Sequence, residues 1–149
     1  MSQNLFLEDL YIGKRFDSGR YLLDKKEIIS FASEYDPQPF HTDPEKSEKL
    51  FFRGHSASGW QTAAVTMRLL VSSVPLDCGV IGVGADLTWL RPVRPGDELQ
   101  VTTEVQQIHI SQTKQDRAIV TWLVETKNQK GETVQTMTSK TMVFSKNAP

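Results

Sequence analysis

Ser58-Gly59-Trp60-Gln61-Thr62-Ala63-Ala64-Val65-Thr66-Met67-Arg68-Leu69-Leu70-Val71-Ser72-Ser73 reads as a single helix, and the fold follows from what that helix needs. Serine is a favoured N-cap, and Gln61 three positions after Ser58 completes the pattern of a capping box. Trp60, Ala63, Ala64, Met67, Leu70 and Val71 recur at helical spacing and mark an apolar stripe. Arg68 is the single charge between Gly59 and Ser73. A helix with so little polar surface is expected to be largely buried. At about 1.5 Å per residue it is roughly 22 Å long, enough to cross a sheet.

The partner for that helix lies on both sides of it in the chain. Downstream, extended segments alternate with turns: Val80 to Leu90, Glu98 to Ile110, Arg117 to Lys127 and Glu132 to Phe144. Leu99, Val101, Thr103 and Val105 share one side of their strand, and Val120, Trp122 and Val124 oppose Ile119, Thr121 and Leu123 in the next. Arg91-Pro92-Val93-Arg94-Pro95-Gly96-Asp97 and Asn128 to Gly131 are turns. Upstream, Lys14 to Leu23 reads as a first strand. Asp24 and Glu27 form a capping-box pattern ahead of Ile28, Phe31, Ala32 and Tyr35, giving a helix from Lys25 to Tyr35. Asp36-Pro37-Gln38-Pro39 ends it, and a short helix restarts at Pro44 with Asp43 as its cap. Successive strands with short connections imply an antiparallel sheet, whose face the long helix must cover. The fold class is therefore α+β, a curved antiparallel sheet wrapped around a long central helix.

With 149 residues the chain fits a single domain, and 38% hydrophobic residues are enough for a core. Lys plus Arg number 17 against 18 for Asp plus Glu, and the net charge of -1 gives no footprint for nucleic acid or an anionic membrane. Cys78 is the single cysteine, so neither an internal disulfide nor a Cys-rich zinc site is expected. Met1 to Asp9 holds no basic-then-apolar block, and no apolar run approaches roughly 18 residues. A soluble, cytoplasmic protein is the expectation.

Three residues could carry chemistry. Asp36 and His41 flank a segment with two prolines, and a stiffened loop can hold a carboxylate and an imidazole toward one small molecule. Such a pair suits general acid–base work on water. The plainer alternative makes Asp36 a turn cap and His41 a surface residue. Gly59 begins the charge-poor helix, where free N–H groups and the positive dipole end could stabilise an oxyanion. Its plainer alternative is close packing.

The segment Phe31-Ala32-Ser33-Glu34-Tyr35-Asp36-Pro37-Gln38-Pro39-Phe40-His41-Thr42-Asp43 resembles the signature of the MaoC-like dehydratases, a group that includes R-specific enoyl-CoA hydratases. Ala57-Ser58-Gly59-Trp60 and Leu90-Arg91-Pro92-Val93-Arg94-Pro95-Gly96-Asp97 resemble that family's helix start and strand-connecting turn, in the same order. The resemblance implies a hot-dog fold and a homodimer with sites near the subunit interface. It places Asp36 and His41 on the catalytic pair and Gly59 on the glycine whose N–H meets the thioester carbonyl, with Ser58 and Gln38 as possible support. The implied reaction is hydration of a 2-enoyl-CoA to the (R)-3-hydroxyacyl thioester, with coenzyme A as part of the substrate and neither metal nor other cofactor. Which of Asp36 and His41 is the base stays open.

Gln38 stands where asparagine is usual in that group, Tyr35 where a small residue is common, and His55 and Ser56 in a stretch that is often apolar. These departures bear on acyl specificity. A hot-dog thioesterase is the nearest alternative, although one common design needs an acidic residue on the central helix and Gly59 to Ser73 has none. A non-catalytic acyl-thioester-binding protein is the other, and it would need no acid–base pair. Arg53, Arg91 and Arg94 are candidates for coenzyme A phosphates, with solvated turn charges the default. Asp43 is read as a cap rather than a metal ligand, His109 as structural, and Trp60, Trp89 and Trp122 as core.

Overall fold

The computed structural model describes residues 3–149; the expectation on Met1 to Asp9 rests partly on residues 1 and 2, outside the described residues. After a 3-10 turn at Leu7–Asp9 come β1 (Arg15–Leu23), α1 (Lys25–Tyr35), α2 (Pro39–Thr42), α3 (Pro44–Ser47), α4 (Gly59–Ser73), β2 (Ile81–Trp89), β3 (Asp97–Ile110), β4 (Arg117–Lys127) and β5 (Thr133–Phe144). The strands form one antiparallel sheet in the order β1-β3-β4-β5-β2. Each of the four pairings contains a register shift, and such bulges bend the strands that carry them.

The alternation in β3 and β4 sets the core. Leu99, Val101, Val105, Val120 and Val124 are fully buried and meet Val65, Leu69 and Leu70 of α4. α4 lies against β1 and β3. This is the helix-on-sheet arrangement expected, with two corrections.

The first concerns the helix face. Of the proposed stripe, Leu70 is buried, but Trp60, Ala64, Met67 and Val71 are exposed on the single chain and Ala63 is half-buried. The side turned to the sheet is Gln61, Thr62, Val65, Thr66, Leu69 and Leu70. Two of its polar donors find partners within the fold: Thr66 donates to the Thr62 carbonyl at 2.8 Å, and the Gln61 amide N–H to the Glu27 carbonyl at 3.1 Å. An apolar stripe marks a face that seeks cover, and here the covalent chain supplies cover only for the opposite one.

The second concerns connectivity. β2 does not pair with β3, its neighbour in sequence; it sits at the far edge against β5. The Arg91 to Gly96 link therefore crosses the fold, with Val93 buried and its carbonyl accepting from Ala57 N–H at 2.8 Å, one residue before the α4 cap. Prolines at 92 and 95 suit a crossing that joins no ladder.

The caps are simpler than read. Asp24 accepts from Glu27 N–H at 2.8 Å, but Glu27 turns its carboxylate to the Tyr21 hydroxyl rather than back to the cap. Ser58 accepts from Trp60 N–H, and Gln61 takes no part. Asp43 accepts from Glu45 and Lys46 N–H, the cap expected of it. Asp24→Ala is expected to lower the free energy of unfolding by about 1 kcal/mol, the usual cost of a lost N-cap. Urea denaturation of the two proteins measures it.

Candidate functional site

Asp36 terminates α1, its N–H bonded to Ala32 O at 2.8 Å. The chain then turns at Pro37 into α2, a single helical turn with proline in its first position. His41 sits on that turn, not on the open loop expected from the two prolines. The turn aims the imidazole back at Asp36, whose Oδ2 lies 3.3 Å from His41 Nε2. His41 is 5% exposed, between Phe40 at edge-on contact and the near-parallel ring of Phe52.

Hydrogen bonding fixes the roles of the ring nitrogens. His41 Nδ1 lies 2.7 Å from the Ser56 carbonyl, which can only accept. The neutral ring therefore carries its proton on Nδ1 and presents a bare Nε2 toward the carboxylate. His55, also buried, donates from Nε2 to the His41 carbonyl at 2.6 Å and holds the turn from behind.

Asp36 is held by the two residues expected as support. Gln38 donates to Oδ1, and the Ser58 hydroxyl donates to Oδ2 at 2.7 Å. Burial acts to raise the Asp36 pKa, but these two bonds and the neighbouring imidazole outweigh it and leave the group below the ordinary aspartate value. Because Ser58 also caps α4, one hydroxyl joins the carboxylate to the helix start.

Next to it, Gly59 opens α4, and among the described residues its N–H has no acceptor. Its backbone needs no left-handed angle, so the turn does not demand glycine. Packing does. A Cβ at this position would lie 2.6–2.9 Å from the indole of Trp89. Gln38, His41, Gly59 and Trp89 line one cleft of about 440 Å³, walled otherwise by Phe40, Phe51, Phe52, Leu90 and Val93. Asp36 stands just outside this lining, reaching it through His41 and Gln38.

A family model described as the MaoC like domain matches residues 11–143. The chain belongs to the MaoC-like dehydratases. The structure of a MaoC-like dehydratase from Rhodospirillum rubrum is 53% identical, covers 97% of this chain and all of its own, and superposes with a TM-score of 0.95. The uncharacterized protein YdeM of Bacillus subtilis is 35% identical over 127 residues, 83% of this chain and 88% of YdeM. The R-hydratase PhaJ1 of Pseudomonas aeruginosa is 24% identical, covers 96% of this chain and 88% of its own, and has a TM-score of 0.79, a likeness of fold. The hot-dog expectation is met.

In this MaoC-like domain the three arginines separate. Arg94 is committed to the interior, its guanidinium donating to the carbonyls of His55 and Phe52. Arg91 lies at the cleft rim and pairs with Glu132 at 3.3 Å, and Arg53 is exposed. His109 is exposed on β3. Trp122 is core as expected, whereas Trp89 is a cleft wall and Trp60 an outward residue packed edge-on against it at 5.2 Å. The aromatic walls Phe40, Phe51 and Phe52 carried no signal beyond their proximity to His41 in sequence, and Ser56 contributes through its backbone alone.

Since its folded-state pKa is depressed, ionised Asp36 contributes stability present above the ordinary aspartate value of about 3.9. That stability is lost as pH falls through the lower folded value. A carbon-13 carboxyl titration should place the Asp36 midpoint below about 3.9 and show it rising in Ser58→Ala. An unchanged midpoint in that variant would remove Ser58 from its support.

Proposed function

We propose that this chain is a hydratase that adds water reversibly across the double bond of a 2-enoyl thioester, with coenzyme A as the carrier and the (R)-3-hydroxyacyl thioester as product. The observation that carries the reading is the 3.3 Å approach of Asp36 Oδ2 and His41 Nε2 beside the unpartnered N–H of Gly59 in an apolar cleft. The stereochemistry and the thioester come from the resemblance of the segment around Asp36 and His41 to the R-specific enoyl-CoA hydratases.

One water donating to both Asp36 Oδ2 and His41 Nε2 would have its lone pair free for C3 of the substrate. As the water oxygen bonds to C3, its proton passes to His41 Nε2 and the π electrons move to the thioester oxygen at Gly59 N–H. The enolate then collapses, and the same proton returns to C2. Asp36, held ionised by Gln38 and Ser58, is the weaker base, and its charge stabilises the imidazolium. The dipole of α4 adds to the stabilisation at Gly59. A thioesterase would split the thioester instead, and a binding protein would do neither.

Asp36→Asn and His41→Ala are each expected to lower kcat on a crotonyl thioester by at least about 10²-fold with the fold retained. Product analysis of the wild-type reaction, hydroxyacyl thioester or free acid and thiol, separates hydration from hydrolysis.

The same reading includes a homodimer. Trp60, Met67 and Val71 on α4, Ile81, Val83 and Trp89 on the edge strand β2 and Leu90 just after it are all exposed large apolar residues, and Trp60 packs on Trp89. An apolar edge strand is a template for a second chain. Light scattering at micromolar concentration should give at least twice the chain mass, and Met67→Glu should shift it toward the monomer; a monomeric wild type would remove the dimer.

A further inference from the structure

Trp89 enters the cleft from β2 with its ring face against the α carbon of Gly59. An indole at the end of an edge strand has two side-chain torsions to vary and 42% of its surface exposed on the single chain. Here its direction is set from inside the core. Trp89 Nε1–H donates to Gln135 Oε1 at 2.9 Å, and the two residues are register partners across β2 and β5. Gln135 is fully buried. Its amide donates to Thr66 Oγ1 at 3.0 Å, Thr66 donates to the Thr62 carbonyl at 2.8 Å, and Thr126 lies 2.6 Å from the same Thr66 oxygen. An indole N–H can only donate, so Gln135 must turn its Oε1 to Trp89 and its amide N–H to Thr66, and the chain of bonds has one polarity.

We propose that Trp89 is the residue that limits acyl length in this cleft, and that Gln135 is its positioning residue. The inference rests on the enoyl-thioester reading above. A thioester oxygen held at Gly59 N–H fixes where the acyl group starts, directly beside the indole face. The remaining apolar wall near that point comes from Ala57, Thr62, Leu90 and Val93. Leucine and valine yield to a longer chain by small adjustments. The indole yields only by leaving Gln135, which strands a buried amide oxygen without a donor. The site therefore takes short acyl groups, and the limit is built from a hydrogen bond rather than from bulk alone.

The test is the ratio of kcat/KM for C8 over C4 within a C4 to C10 series of trans-2-enoyl-CoA, with the full-length protein. Wild type should favour C4 by at least ten-fold, the scale on which a closed apolar pocket discriminates extra methylenes. Trp89→Ala should raise the C8/C4 ratio at least ten-fold. Trp89→Phe and Gln135→Leu, which each remove the same bond, should move the ratio in the same direction by less, and together no further than either alone. If the alanine variant is not folded by circular dichroism, Trp89→Leu repeats the measurement with an apolar side chain still facing Trp60. An unchanged ratio in a variant that still turns over C4 overturns the role of Trp89. An unchanged ratio in Gln135→Leu beside a changed one in Trp89→Ala overturns the role of Gln135. A wild type inactive on the whole series is a separate result, visible before any variant is made, and it removes the hydratase reading together with this inference.

Discussion

The Ser58 hydroxyl has one hydrogen and gives it to Asp36, while its lone pair takes the N–H of Trp60. Both bonds are needed where they are. Without the first, a mostly buried carboxylate loses one of its two side-chain donors; without the second, α4 begins with one more unsatisfied amide. Because the same oxygen serves both, the end of α1 and the start of α4 are locked at a fixed separation. Asp36, His41 and the Gly59 amide are then three parts of one rigid corner, and the cleft opens from it. A hydroxyl in this position is also ordinary helix chemistry, so the site is supported by an interaction that the fold would use in any case.

Behind that corner the central helix presents polar groups to its own sheet. Thr62 and Thr66 are buried there, and the Thr66 hydroxyl donates to the Thr62 carbonyl while meeting Thr126 and the Gln135 amide. A buried polar group is tolerable only when it is paired, so this layer admits one depth and rotation of α4. Shifting the helix by a turn would take Thr66 away from the Gln135 amide N–H. The arrangement fixes the helix more tightly than interchangeable aliphatic contacts would, and it leaves the apolar residues Trp60, Ala64, Met67 and Val71 on the outside.

Local chemistry made much of this legible in the sequence. Strand alternation located β3 and β4, caps located α1, α3 and α4, and the family resemblance pointed to Asp36, Gln38 and His41, which the structure brings together. The readings that failed all depended on partners distant in the chain. Periodicity finds an apolar face without saying whether the same chain covers it, hence the reversed assignment of α4. The order of strands along the sequence does not fix their order in the sheet, hence the displacement of β2 to the β5 edge. Trp89 looked like core because nothing local distinguishes a tryptophan that packs on Gly59 and bonds Gln135, 46 residues away, from one that fills an interior. Arg94 looked like a solvated turn charge for the same reason: its acceptors belong to residues 42 and 39 positions earlier.

The placement of β2 also bears on how the chain is made. Among the described residues its partner in the sheet is β5, which leaves the ribosome after the sheet's other four strands. Until Thr133 to Phe144 has emerged, the nine residues of β2 have no ladder to join, and their backbone N–H and C=O groups have only water as partner. Nascent chains truncated anywhere before β5 should leave this segment without regular structure. Pairing at such sequence separation is slow, so the interval is long on the scale of the local helices. The arrival of β5 is thus the step that turns β2 from a free segment into part of the sheet.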